Sequence, residues 1–401
     1  MSEKRRTAAI VGCGDIAHYH MQGYQLAGVD VVAFVDPLAV ARDQFVTEYG
    51  GGRGYASLAE MLAAESPDLV SVCAWHLLHA PLTVEAAAAG VQGIICEKPM
   101  AVSMAGADRM VEACDESGTK LAISHQRRFT LGWEKGRELI AAGALGDVLM
   151  VTSQFGAGLL NCGTHAIDGV RFVLGDPDAD WVMGAVERRT DKYERDTPIE
   201  DACMGLVHFA NGVQLFLQVD LEGPNYGFQF FVRGTEGMME VSETACRTIG
   251  AGDANWVDCD LGVPANEIDV IGGKANGRQT QELLEWIDGG AEHRCAGTTA
   301  RDTVEIMMAL EESARRHQVV HMPLAEKGYP LELMIGEGKL PVEVEGRYDI
   351  RSFLKREDVD EAQYAKLRAT GMGHHPIMRK LWELEQQVAE QQAAGQQAAG
   401  Q

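Results

Sequence analysis

Four short segments hold side chains able to act together on a small molecule. Gly12-Cys13-Gly14-Asp15-Ile16-Ala17 has the spacing G-x-G-x-x-A. Gly12 permits a tight turn, Gly14 lets backbone approach a pyrophosphate, and Ala17 lets a helix lie close on its strand. Asp36 ends the next apolar run. An acid there hydrogen-bonds the ribose hydroxyls of an adenosine and repels a 2′-phosphate. No Arg stands at positions 37–41, so the pattern favours NAD over NADP. Glu97-Lys98-Pro99 has two readings: an ammonium poised over the cofactor and held by Glu97, or a surface ion pair. His165, in Gly163-Thr164-His165-Ala166-Ile167-Asp168, also has two: a base that takes a hydroxyl proton as hydride leaves, or a structural imidazole. Asp168, three residues on, shares its helical face and is placed with it in the substrate pocket.

Positioning these groups falls to alternating strands and helices. Apolar runs at 7–11, 31–35, 69–73, 93–96 and 120–124 read as buried strands. Helices are expected at 15–27, 40–49, 79–89 and 103–117, with another opened by the capping box Ser57-Leu58-Ala59-Glu60. This is the pattern of an α/β fold, a Rossmann-type doubly wound parallel sheet over residues 1–125. Ligands of such sheets bind outside the carboxyl ends of the strands. Gly12, Gly14, Asp15, Ile16, Ala17, Asp36, His76, His79, Glu97 and Lys98 all fall there and are assigned to the cofactor. His79 has a second reading as a cap or packing residue. Trp75 is placed against nicotinamide or substrate. In Gln126-Arg127-Arg128-Phe129, Arg127 is placed in the substrate pocket, with an interdomain salt bridge expected of at least one of the two arginines.

Residues 126–324 have a different texture. Strand-like runs pair directly through Ala210-Asn211-Gly212 and Gly234-Thr235-Glu236-Gly237, and one helix, 164–174, interrupts them. Later helices are expected at 280–288 and 300–317. The expectation is an α+β domain with a mostly antiparallel sheet. Residues 325–401 read as an extension with one amphipathic helix at 378–389 and a disordered Gln/Ala/Gly tail from 391. His374-His375 reads as part of a mobile segment, since no carboxylate or cysteine stands at metal-ligand spacing; no metal is expected.

Composition excludes several classes. A net charge of −24, without a basic stripe, repels nucleic acid. No run of about 18 apolar residues exists to span a membrane, and the apolar stretch after the charged N-terminus is too short for a secretory signal. Nine scattered cysteines with no C-x-x-C pair read as reduced thiols in a cytoplasmic protein.

Taken together, these residues resemble the Gfo/Idh/MocA oxidoreductase family. The resemblance runs from about Thr7 to Leu324 and rests on Gly12–Ala17, Asp36, Glu97-Lys98-Pro99, Arg127-Arg128-Phe129, Gly163-x-His165-x-x-Asp168 and the closing Ser313–Leu324 segment. It implies a Rossmann domain joined to an open-faced sheet domain, assembly into a homodimer or homotetramer through that face, and a carbohydrate-like substrate. It also implies that Lys98 and His165 flank the reacting carbon. The expected reaction is oxidation of a secondary hydroxyl of a sugar, polyol, inositol or glycoside, with His165 as base and Lys98 steadying the alkoxide. Two alternatives are an NAD-dependent glycoside hydrolase or lyase with no net redox change, and a non-catalytic NAD sensor. Two positions depart from the family pattern. Asn161 stands where many members carry Asp in the proton relay, and Ala74-Trp75-His76 replaces the usual Thr-Pro-Asn.

Overall fold

Six short runs pair side by side in parallel, because helical crossovers return the chain to the same edge each time. A computed structural model describes residues 5–221, 229–270, 272–355 and 359–399. The strands are β1 (Thr7–Val11), β2 (Asp30–Val35), β3 (Arg53–Tyr55), β4 (Leu69–Val72), β5 (Gly93–Cys96) and β6 (Lys120–Ile123), in spatial order β3-β2-β1-β4-β5-β6. The order reverses between β1 and β4, which opens a crevice at their carboxyl ends. β4 and β5 are buried along their whole length, which is why they read as unbroken apolar runs. The crossover helices are α1 (Asp15–Ala27), α2 (Ala39–Tyr49), α3 (Leu58–Ala64), α4 (His79–Ala88) and α5 (Met104–Ser117). Ser57 caps α3 by accepting from the Glu60 amide at 3.2 Å, while the Glu60 carboxylate returns to Ala56 N. β3 lies outside the expected strands: Arg53-Gly54-Tyr55 has no apolar run and pairs only with β2 at the sheet edge.

The second half builds a nine-stranded sheet from β7 (Val148–Phe155), β8 (Ala179–Glu187), β11 (Ala202–Phe209), β12 (Gln214–Val219), β13 (Phe230–Gly234), β14 (Gly237–Val241), β15 (Cys246–Gly250), β16 (Val257–Asp258) and β17 (Val320–His321). Its order is β16-β15-β14-β13-β7-β12-β11-β8-β17, with only β7 and β12 parallel. A three-stranded sheet, β10 (Thr197–Pro198), β9 (Thr190–Glu194) and β18 (Val344–Asp349), stands beside it. Helices α6 (Leu131–Ala141), α7 (Thr164–Leu174) and α9 (Gly297–Arg316) cover one face of the large sheet. Along β12, Leu215, Leu217 and Val219 are buried while Phe216 is exposed. Leu149, Met183, Met204, Phe231 and Met238 are likewise exposed, so one face is open and apolar. The expected fold class holds: a Rossmann sheet plus a mixed, mostly antiparallel one.

The helix expected at 280–288 starts earlier, as α8 (Gly273–Ile287), and lies on α1 of the first domain. Gly273 and Gly277 weaken its helical signal in the sequence. The close contact accounts for small residues here: a Cβ on Gly23 of α1 would stand 2.8 Å from Asn276.

The extension differs most from expectation. It folds as α10 (Pro330–Gly336), β18, α11 (Glu361–Arg368) and α12 (His374–Ala399). A helix from 378 to 389 and a disordered tail were expected; instead α12 runs from His374 through Ala399, with 400–401 outside the described residues. Ala and Gln are good helix formers, and burial of Ile377, Met378 and Leu381 anchors the first turns. All nine thiols are unpaired. Among the described residues no helix is long and apolar enough to cross a membrane.

Candidate active site

The crevice has two ends built in different ways. At one end the β1–α1 turn approaches β4 closely. Gly12 has φ +94°, and a Cβ there would lie 2.5 Å from the Cys73 carbonyl oxygen, so only glycine fits. Asp36, at the end of β2, is held beside the turn by two backbone donors: Cys13 N reaches Oδ2 at 2.9 Å and Leu38 N reaches Oδ1 at 2.8 Å. Each oxygen keeps a lone pair for a ribose hydroxyl. Burial raises the Asp36 carboxyl above its ordinary range, so it gains from such donors. Arg42, one position beyond residues 37–41, sits here too, but its guanidinium donates to the carbonyls of Asp36 (3.1 Å) and Pro37 (3.3 Å). A narrow turn, a helix N-terminus and a ribose-facing acid fit a dinucleotide. Gly12, Gly14, Ile16, Ala17 and Asp36 would hold it.

At the other end, Lys98 follows β5. Its Nζ donates at 3.0 Å to both the backbone carbonyl and the Oδ1 of Asn161. Asn161 lies in a π-helical turn, Gly158–Gly163, that leads directly into α7. Such turns reset the register of the helix after them and recur at functional sites. Glu97 does not hold the Lys98 ammonium, contrary to the sequence expectation. It turns inward, where its Oε1 meets Nε2 of the buried His20 at 3.0 Å. Glu97 still acts through space: burial lowers the Lys98 pKa, and the Glu97 charge opposes that.

His165 is buried at the start of α7. Burial, with the charges of Arg127, Lys98 and His125, holds its imidazole well below the ordinary histidine range. Those surroundings favour the neutral imidazole, the form with a ring nitrogen free to accept a proton. Arg127 is buried against Glu243 in an ion pair, and burial pushes its guanidinium down to about 10. It adds positive charge to the substrate end.

Asp168 is not brought to the pocket, although it sits one turn after His165. Its carboxylate is sealed behind that residue, accepting from Arg128 at 2.8 and 2.7 Å, with His125 Nδ1 at 3.1 Å. Burial alone would raise it, but Arg128 and His125 hold it well below the carboxylate range. Arg128 pairs with Asp168 and Arg127 with Glu243, but both partners lie within residues 126–324, so neither is the interdomain salt bridge the sequence suggests. His79 is likewise a brace: its ring nitrogens meet the carbonyls of Pro99 (2.7 Å) and Ala74 (3.0 Å), tying the Lys98 turn to the end of β4. His76 is buried against Arg195, whose Nη1 stands 2.9 Å from its Nε2. Trp75 is partly exposed at the head of this segment. Asp15 opens α1, and its carboxylate accepts from the backbone of His375 at 3.1 Å.

Sequence reading missed Arg195 and His20, and it put His374-His375 in a mobile segment, whereas the pair opens α12 with His374 buried and His375 bonded to Asp15. Arg195 reaches the crevice from the β9–β10 connection, with φ +51°. No pattern in the sequence marks that turn, because the flanking strands β9 and β10 are too short to show an apolar period.

Residues 6–125 match the model of a family described as an oxidoreductase family with an NAD-binding Rossmann fold, and residues 156–240 match the GFO/IDH/MocA C-terminal domain. The chain belongs to the Gfo/Idh/MocA oxidoreductase family. As a member it is an oxidoreductase with an NAD-binding Rossmann domain. D-glucoside 3-dehydrogenase of Escherichia coli is 26% identical over 54% of this chain and 71% of its own length. Inositol 2-dehydrogenase 3 of Saccharopolyspora erythraea is 25% identical over 79% of this chain and 96% of its own. Among solved structures, a levoglucosan dehydrogenase in complex with NADH and levoglucosan superposes with a TM-score of 0.68 at 19% identity, covering 80% of this chain and all (100%) of that one. That similarity is one of fold.

Proposed function

We propose that the chain oxidises a secondary hydroxyl of a sugar, polyol, inositol or glycoside, using NAD in preference to NADP. The observation that carries this reading is the Lys98 ammonium, fixed at 3.0 Å by both oxygens of Asn161 in the same crevice as the buried His165. Bound NAD supplies the hydride acceptor. His165 takes the hydroxyl proton. Lys98 directs its remaining N–H at the substrate oxygen as negative charge builds there, a charge-assisted bond in a site of low polarity. Asn161 orients Lys98, and being an amide it accepts no proton from substrate, so the relay narrows to His165. Asp36 supports NAD, because it would face a 2′-phosphate with like charge.

The direct test is NADH absorbance in a screen of sugars, inositols, anhydrosugars and glycosides supplied with NAD. NADH forming in proportion to oxidised product is the expected result. Glycoside cleavage without NADH accumulation would establish redox-neutral cleavage instead. That second reading has one observation in its favour: the C-terminal extension contacts the dinucleotide turn, where it would slow the NADH release that a net dehydrogenase requires. Tight NAD binding with no turnover anywhere in the panel would point to a sensor. The open apolar sheet face supports a homodimer or homotetramer; sedimentation of a Phe216→Glu, Phe231→Glu double variant as a smaller species than the wild type would bear that out.

A further inference from the structure

The sequence after Leu324 has no part in the family resemblance, yet it comes to rest on the cofactor turn. Tyr364 of α11 donates its hydroxyl to Gln44 of α2 at 2.8 Å and lies 2.9 Å from Nδ1 of the buried His374. Arg368 pairs with Glu48 of α2 and donates to the Met372 carbonyl at 2.7 Å, which fixes the bend between α11 and α12. Phe353, Ile377, Met378 and Leu381 gather with Leu38 and Val40, immediately after Asp36. His375 N–H donates to the Asp15 carboxylate at 3.1 Å. A Cβ built on Gly14 would have one neighbour within 4 Å among the described residues, His375 Nε2 at 3.7 Å. One short segment thus touches both the phosphate-binding and the ribose-binding parts of the turn.

We propose that residues 371–381 form a lid over the adenosine and pyrophosphate half of the dinucleotide site, in which the His375 imidazole donates to a phosphate oxygen and NAD leaves only when the lid undocks. The inference rests on reading the crevice as an NAD site. Charge favours a lid that accompanies the ligand over a plug that replaces it. Asp15 puts a carboxylate in the first turn of α1, where it opposes a pyrophosphate. His375 offsets that charge with its backbone N–H, and its ring Nδ1 lies 3.7 Å from the same carboxylate. The positive charges of Arg195, Arg351 and Arg379 also bear on His375. In a chain of net charge −24, the segment laid on the phosphate turn is locally basic, the complement of an anion. A segment that mimicked the cofactor would bring a carboxylate to those amides, and this one brings none.

The test preloads the full chain with NADH, chases with excess NAD, and follows loss of bound NADH fluorescence. His375→Ala removes the donor from a residue that is only partly buried. Met378→Asp undocks the apolar contact and is checked for folding by its melting curve. Both are expected to speed NADH release about tenfold or more, the weight of one charge-assisted hydrogen bond, with His375→Gln falling between them and the wild type. Release at the wild-type rate in both variants would overturn the lid while leaving the NAD site standing. Tighter binding in both variants would also overturn it, in favour of a plug. Absence of NADH binding in the wild type and in all variants would remove the NAD reading and the lid with it.

Discussion

The two ends of the crevice are assembled on opposite principles. The dinucleotide end is local: Gly12, Cys13, Asp36 and Leu38 hold one another through backbone amides within 4 residues of two strand ends. The substrate end is collected from far apart, with Lys98 after β5, Arg127 after β6, Asn161 in a π-helical turn, His165 on α7 and Arg195 from a separate small sheet. Backbone geometry shapes the first. Burial and charge together shape the second, since desolvation, Arg127 and Lys98 hold the His165 imidazole well below the ordinary histidine range. The difference teaches that recognition of the cofactor tolerates little change in main chain, whereas chemistry depends on which side-chain charges are sealed in together.

This contrast is most easily broken at the substrate end. Lys98→Ala should lower kcat by about 10²–10⁴-fold while NAD affinity changes little, because Lys98 acts on the transition state. Isothermal titration with NAD alongside steady-state kinetics would check both halves. Next is the brace behind the site. Asp168→Ala leaves Arg128 buried without its closest carboxylate and should destabilise the fold by about 3–5 kcal/mol in urea unfolding. A fall in kcat with stability unchanged would instead return Asp168 to the pocket.

Weaker effects are expected at the dinucleotide end. Asp36→Ala should weaken NAD by roughly 10–100-fold and leave NADP nearly unaffected, as one charged hydrogen-bond acceptor is lost. Equal losses for both cofactors would show that Asp36 shapes the turn rather than choosing between them. The smallest effect is a displacement of the pH profile. His165 is depressed by burial, so it stays deprotonated, and activity persists, below the ordinary histidine value of about 6.5. Activity is lost only as pH falls through that lowered value. Lys98 is also lowered by burial, so the alkaline limb, where the ammonium is lost, should begin below the ordinary ~10.4. Lys98→Arg, which stays protonated, should remove that limb.

Much of the first domain was legible because its strands are buried on both faces and its turns are marked by glycine. Gly12–Ala17 and Asp36 fell where the strand ends put them. Lys98 and His165 were legible as chemical groups, and the family resemblance pairs them, but nothing in one sequence states that Lys98 meets Asn161. Asp168 misled for a physical reason. Residues three apart on a helix share a face only roughly, and Arg128 captured the carboxylate from a neighbouring segment. The extension was the least legible part. Its few apolar residues look inadequate for a core of their own, and they suffice because they complete an existing surface at Leu38 and Val40.

The central claim is that His165 and Lys98 serve hydride removal from a carbinol carbon rather than cofactor binding. Single-turnover formation of NADH, with wild type and His165→Ala at matched NAD occupancy and the best substrate of the panel, tests it most directly. The account predicts a wild-type burst of NADH and, in His165→Ala, a rate lower by at least about 10²-fold with NAD still bound. NADH forming at the wild-type rate in that variant would contradict it.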